Sequence, residues 1–247
     1  MIVGLLTGRG GSVSIPDKNV IEVLGRPLMS YAALMANQSK LIDEVYLSTD
    51  GEKLKDVGRE MGLKIIDRPE ELALPTSQHK DALTHALSVL EAEGKKPEIL
   101  VVFLCNVGTH RPGLVDHCIQ QLIDNPELDS VVTVEERNEY HPLRTKKVGP
   151  DGNLVPFLET EGPISTNRQD LEPALFIDHT FWVLRVSTCF GPEAQGQQPW
   201  DFMGQRIKGV PNSGSIDIHT HEDIAYTEAW LRKYGWTSDE TPSGDDM

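Results

Sequence analysis

The residues best suited to chemistry in this 247-residue chain crowd its N-terminus, as Gly8-Arg9-Gly10-Gly11-Ser12 and then Lys18-Asn19. Glycines let a backbone turn sharply and aim successive N–H groups at one anion. Arg9 and Lys18 add positive charge, and Ser12 adds a hydroxyl. A polyphosphate would use all three kinds of group. The segment follows Ile2-Val3-Gly4-Leu5-Leu6, a short apolar run that reads as a buried strand. The expectation is therefore a nucleotide-binding loop at a strand end. The plainer readings are a surface ion pair for Arg9 and a solvated side chain for Lys18. Their place around two glycines after a core strand favours phosphate.

That loop needs a scaffold, and the first 135 residues supply one by alternating strand-like and helix-like segments. Helices are expected over 28–38, 52–61, 79–91 and 114–123, and strands over 44–48, 64–66, 99–104 and 130–134. Within the third helix Ala82, Leu83, Ala86, Leu87 and Leu90 share one face at helical spacing. The run Ile99–Leu104 is apolar throughout, as a central strand covered on both sides would be. Such alternation implies a mostly parallel sheet with helices on both faces. Ligands then sit at the carboxyl ends of the strands, in the loops after Leu6, Ser48 and Leu104. The pattern breaks over 137–173, a polar stretch whose Pro150-Asp151-Gly152-Asn153 signals a hairpin turn. A strand over 176–185, a short one over 216–218 and a helix over 222–233 close the domain, expected to be single and to span 1–236. The acidic 237–247, rich in Ser, Pro and Gly, reads as a disordered tail.

Composition narrows the class. The chain is 38% hydrophobic and 25% charged, as globular domains are. No apolar run approaches the ~18 residues that span a bilayer, and the start has no cationic leader, so neither a membrane nor a signal peptide is expected. A net charge of −15 argues against a nucleic-acid partner. Cys105, Cys118 and Cys189 are odd in number and widely spaced, which suggests a reducing cytoplasm. Cys105, His110 and His117, or His219-Thr220-His221, form no closed zinc ligand set at established spacing.

Arg9-Gly10-Gly11-Ser12-x-x-Ile15-Pro16-x-Lys18-Asn19 resembles the signature of the sugar-acid cytidylyltransferases, the CMP-sialic acid synthetase family. Five more segments match in the same order: Leu24-Gly25-Arg26-Pro27-Leu28, Val45–Asp50, Arg68–Ala73, Asn167–Leu171, and Ile216-Asp217-Ile218-x-Thr220-x-Glu222-Asp223. The resemblance implies a Rossmann-like α/β fold of the nucleotide-diphospho-sugar transferase type. It also implies a homodimer in which the inserted hairpin of 137–173 crosses to the partner. The implied reaction transfers CMP from CTP to an acidic small-molecule acceptor and releases pyrophosphate.

By this likeness Arg9 and Lys18 are the catalytic, phosphate-binding cations. Gly8, Gly10, Gly11, Ser12, Asn19 and Arg68 contact the nucleotide, and Asp217 holds Mg²⁺, with Mn²⁺ as a substitute. Asp50 reads rather as a cap of the helix after it. Arg168 and Gln169, in the fifth matched segment, fall to the acceptor.

Four departures from the family pattern stand out. Val13 replaces a lysine. Cys105 replaces a glutamine that helps hold the nucleoside, and Asn106 could take over its hydrogen bond. His219 replaces the second carboxylate of the metal pair, leaving Asp217 alone with waters or joined by an imidazole. Asp178-His179 replaces an Asn-Gly of the acceptor pocket, where an unpaired Asp would repel an acidic acceptor. The expected activity is cytidylyl transfer to a nonulosonic or related sugar acid. The alternatives are transfer to a phosphonate or another small acid, and a nucleotide-binding relative without turnover.

Overall fold

The computed structural model describes residues 1–11 and 15–243. Ser12, Val13 and the last four residues of the tail lie outside the described residues. Strands β1 (Ile2–Thr7), β4 (Glu44–Thr49), β5 (Lys64–Asp67), β6 (Ile99–Leu104), β7 (Ser130–Glu136), β10 (Leu175–Arg185) and β11 (Ile207–Pro211) form one sheet. Their order is β11-β7-β10-β6-β1-β4-β5. All run parallel except β10, which is antiparallel to both its neighbours. Two small hairpins stand apart, β2 (Glu22–Val23) with β3 (Arg26–Pro27), and β8 (Lys146–Val148) with β9 (Leu154–Pro156).

Strand alternation divides the core. Leu6, Val101, Phe103, Phe181 and Val183 face helices α1 (Met29–Gln38), α2 (Glu52–Glu60), α4 (Leu114–Asp124) and α6 (His221–Lys233). Leu5, Leu100, Val102, Trp182 and Leu184 face α3 (His79–Ala92) and the short α5 (Val186–Cys189). Each such side chain, fully buried, contributes roughly 1.5–3 kcal/mol. The mostly parallel sheet with helices on both faces is thus as expected.

Two elements and the start of the tail differ from expectation. Residues 216–218 form no strand, only an isolated antiparallel bridge between Asp217 and Val107. Strand β11 was not foreseen, because Gly209 and Pro211 interrupt its pattern; an edge strand tolerates both. The inserted hairpin does form as β8–β9, its turn closed by Gly149 N–H to Asn153 O at 2.8 Å and Asn153 N–H to the Asp151 carboxylate at 3.1 Å. In the tail, Arg26 donates to Ser238 O at 2.7 Å and to Thr241 Oγ1 at 2.9 Å, so the described part runs against the β2–β3 hairpin.

The chain leaves β1 first towards β4 and β5, then returns to the other side of β1 as β6. A crevice therefore opens at the carboxyl ends of β1 and β6, where open α/β sheets bind ligands. Among the described residues no helix is long and apolar enough to cross a membrane.

Candidate active site

Parallel pairing sets Thr7 beside Ser48 of β4 and Leu104 of β6, so the loop after β1 emerges between two strand ends. Gly8 donates to Ser48 O at 3.3 Å and packs directly on Cys105. A Cβ at Gly8 would lie 2.8 Å from both Cys105 Cβ and Leu54 Cδ2. Gly8→Ala is therefore expected to cost about 1–3 kcal/mol of stability by overpacking, read as a lowered urea midpoint; an unchanged midpoint would show that the loop can shift.

The next turns are fastened by side chains. Gly10 N–H donates to Asp50 Oδ1 at 2.9 Å, and its Cα side approaches Gly51 so closely that a Cβ would lie 3.2 Å from Gly51 Cα. Asp50 thus holds the loop after β1 and makes no cap to α2, whose N-cap is Gly51 without a side-chain bond. Gly10 is thereby removed from the expected nest of free amides. Gly11, at φ 66°, has open space around its Cα. Asn19 is buried and donates to Arg9 O at 3.1 Å, which ties the far end of the loop back to its start.

A cleft of about 390 Å³ lies above this platform, lined by Gly8, Arg9, Lys18, Asn19, Arg68 and Asn106 together with the start of α3. Six of the residues expected at the nucleotide therefore meet in one place. Arg9 and Lys18 make no ion pair among the described residues. Burial pushes the Lys18 ammonium below its usual value; Asp217 opposes that shift and Arg9 adds to it. Arg68, at the end of β5, is anchored by Nη2 to Ser48 O at 2.7 Å and Nε to Ser48 Oγ at 3.2 Å. Burial and, less strongly, Arg9 disfavour its charge. Three cations converge here in a chain whose net charge is −15.

Cys105 does not reach the cleft. It is fully buried beneath Gly8, where burial pushes its thiol up to about 12. Its side chain, expected at the nucleoside from its place in the sequence, is packed under the loop and does not line the cleft. Asn106 lines the cleft instead. Its carbonyl accepts from Ile218 N–H at 2.9 Å, and its amide lies 3.5 Å from Asp217 Oδ2.

Asp217 is thereby held over the ends of β1 and β6. His219 Nε2 sits 2.6 Å from Asp217 Oδ2, so the two side chains are each other's partners. Among the described residues no group of three or more His, Cys, Asp or Glu could hold a metal. One carboxylate completed by phosphate oxygens and waters is nonetheless a set that Mg²⁺ accepts. Asp223 accepts from His219 N–H at 2.9 Å and Thr220 N–H at 2.7 Å, capping α6.

A second cleft, about 270 Å³, opens beside the first and includes Asp217, Asp178, His179, Glu135 and Arg137. Asp178 is satisfied by neutral donors: the Thr133 hydroxyl, Thr180 N–H at 3.0 Å and Asn212 Nδ2 at 2.7 Å. Arg137 is engaged by Glu135 at 2.6 Å. Arg168 and Gln169 lie in an exposed turn of the insertion and line neither cleft.

The sequence reading missed His79, which lines the first cleft with Nε2 3.0 Å from Thr7 Oγ1. The only signal was its place at the start of an amphipathic helix. It also missed an aromatic wall in which His79, Trp182, His179 and Trp200 follow one another with ring centroids 5.0–5.7 Å apart.

Comparison with known proteins bears on the same elements. A family model described as cytidylyltransferase matches residues 3–102, from β1 through most of β6. The 3-deoxy-manno-octulosonate cytidylyltransferase of Bdellovibrio bacteriovorus is 27% identical over 255 residues, covering 95% of this chain and 99% of its own. The N-acylneuraminate cytidylyltransferase of Streptococcus agalactiae serotype V is 23% identical over 230 residues, covering 90% of this chain; the chain spans about half of that relative, 51%. A solved CTP complex of CMP:2-keto-3-deoxy-manno-octonic acid synthetase shares the fold, with TM-score 0.67, 15% identity, and coverage of 94% of this chain and 98% of that one. Sequence motifs and relatives agree, and the chain is similar to sugar-acid cytidylyltransferases over most of its length.

Proposed function

We propose that this protein transfers CMP from CTP to an acidic sugar and releases pyrophosphate. The observation that carries the reading is the convergence of Arg9 and Lys18, from the loop after β1, and Arg68, from the end of β5, on one cleft, with Asp217 lining the cleft next to it and favouring the Lys18 charge. The triphosphate lies along the loop after β1, with Arg9 and Lys18 against its oxygens. The acceptor occupies the second cleft and presents its hydroxyl in line with the α-phosphorus. As the P–O bond to the leaving group breaks, charge grows on pyrophosphate, and fixed cations are worth most where charge develops. Holding the hydroxyl and phosphorus in register supplies much of the remaining acceleration. Asn19 and Asp50 act through the loop by fixing its shape. Mg²⁺, or Mn²⁺ in its place, would be held by Asp217 and would neutralise phosphate oxygens as a Lewis acid.

A homodimer fits the insertion, where Val148, Leu154 and Phe157 are 70%, 72% and 53% exposed on the β8–β9 hairpin and just after it. In such a dimer Arg168 and Gln169 come within reach of an acceptor bound by the partner. A cytoplasmic setting agrees with three buried free thiols.

The test is pyrophosphate release from each nucleoside triphosphate with Mg²⁺ or Mn²⁺ and a panel of sugar acids and phosphonates. Release with CTP and a sugar acid is expected. A second reading, transfer to a phosphonate, draws on the second cleft, whose Arg137 is already paired with Glu135. Release only with a phosphonate would move the assignment there. CTP binding without release from any mixture would overturn the catalytic reading.

A further inference from the structure

Strand β10 slips register between Ile177 and Trp182 as it passes from the edge of the second cleft into the core. His179 lies inside that slip at φ 59°. This left-handed conformation is comfortable for glycine and costs other residues free energy, so it persists where surrounding structure imposes it. What imposes it here is visible. The imidazole stands edge-on between two indoles, 5.0 Å from Trp200 at 69° and 5.7 Å from Trp182 at 76°. Trp182 itself is 2% exposed and carries Phe202 on its other flank at 5.4 Å.

Hydrogen bonding does not hold the ring. His179 Nδ1 and Trp182 Nε1 are both buried and without a partner among the described residues. The neighbouring Asp178, by contrast, is bonded by three neutral donors. Burial also depresses the His179 pKa, against the opposing pull of Asp217 and Asp178, so the ring is neutral near pH 7. A neutral ring fixed by packing offers a cleft its volume and little else. That volume stands in the wall of the cleft that also holds Asp217.

We propose that His179 is the acceptor-selectivity residue: its imidazole, braced by Trp182 and Trp200, narrows the second cleft so that it admits sugar acids with compact ring substituents and rejects those carrying a bulky acylamino group. The inference rests on the acceptor-cleft reading above and adds a size rule to it. Such steric discrimination is modest per group, on the order of 10–200-fold for one misfitting methylene. A whole acylamino group therefore gives a readable effect.

The experiment compares kcat/KM for 3-deoxy-manno-octulosonate and for N-acetylneuraminate in the wild type, His179→Gly and His179→Phe. Glycine adopts the required φ without steric cost, so its variant keeps the backbone path while removing the ring. The wild type is expected to favour the smaller acid. His179→Gly is expected to shift the ratio about tenfold or more towards the larger one, through KM for that acid and with KM for CTP unmoved. His179→Phe, which restores a ring of similar size, is expected to keep the wild-type ratio whatever its overall rate. An unchanged ratio in His179→Gly overturns the proposal. The same ratio is read as Kd by calorimetry in the presence of a non-reactive CTP analogue. Absent turnover with both acids would thus count against cytidylyl transfer, while an unchanged Kd ratio would still count against the role of His179.

Discussion

Lys18→Ala is expected to lower kcat/KM for pyrophosphate release by about 10²–10³-fold, the usual effect of removing one fixed charge stabiliser from a transition state. The reason lies in what the ammonium lacks. It is half-buried, it faces Arg9 and Arg68 across the same cleft, and it makes no ion pair among the described residues. Only Asp217 and, more weakly, Asp223 favour its charge, and Asp217 already has His219 as a partner. Folding gains little from a cation so placed, so the urea midpoint should scarcely move. A triphosphate gains a great deal. Calorimetry should show weakened CTP binding, and Lys18→Arg should recover part of the loss because charge returns with altered geometry. Wild-type kinetics in Lys18→Ala would place the phosphates elsewhere.

The second large effect concerns acid. His110 is buried and His79 lies partly buried in the wall of the first cleft, and desolvation lowers the pKa of each from 6.5 to about 4. Arg68 and His179 depress His79 further, whereas the 3.0 Å contact of His110 Nε2 with Val107 O works weakly the other way. The unfolded chain therefore binds protons below pH 6.5 that the native state refuses down to about pH 4. Stability is fully present above 6.5 and falls as pH drops through that window. With two such groups the slope approaches about 2.7 kcal/mol per pH unit. Glu44, held at about 2 by Lys64, Lys95 and Tyr46, acts only below its ordinary value of 4.5. The two causes are thus separated in pH. Urea midpoints at pH 7, 6 and 5 should fall steeply, and His79→Phe should remove about half of the slope. A flat profile from pH 7 to 5 would show that these imidazoles are hydrated or paired.

The nucleotide half of the site was legible because its logic is local. Ile2–Thr7 is apolar where it must cross the core, and the glycines and cations follow where the strand ends. Gly8, Arg9 and Lys18 could be placed by the strand end alone, whereas Asn19, Arg68 and Asn106 rested on the resemblance to the family. Cys105 could not, since whether a loop residue faces the cleft or the core depends on the partner that packs on it, here Gly8. Asp50 misled for a similar reason. Capping and loop-tying use the same carboxylate, and only the approach of Gly10 to Gly51 decides between them. The acceptor half was less legible still. The aromatic wall that runs from His79 in the first cleft through Trp182 to His179 in the second, and on to Trp200, spans more than a hundred residues, and no periodicity links them. Strand β11 was hidden by Gly209 and Pro211, which an edge position permits.

The reversal of β10 has a consequence for how such a protein can change. Because β10 alone runs against the sheet, the insertion leaves β7 and re-enters β10 at the same end, with Glu136 opposite Leu175 and Glu135 opposite Phe176. Those junctions sit at the mouth of the second cleft. Residues can be gained, lost or exchanged between 137 and 174 without displacing a single pairing in the seven-stranded sheet. The loop after β1 has no such latitude, being clasped by Ser48, Asp50, Cys105 and Asn19. The first cleft is written into the frame, whereas the second takes Arg137 and Tyr140 from a segment that hangs from the frame as an exchangeable module.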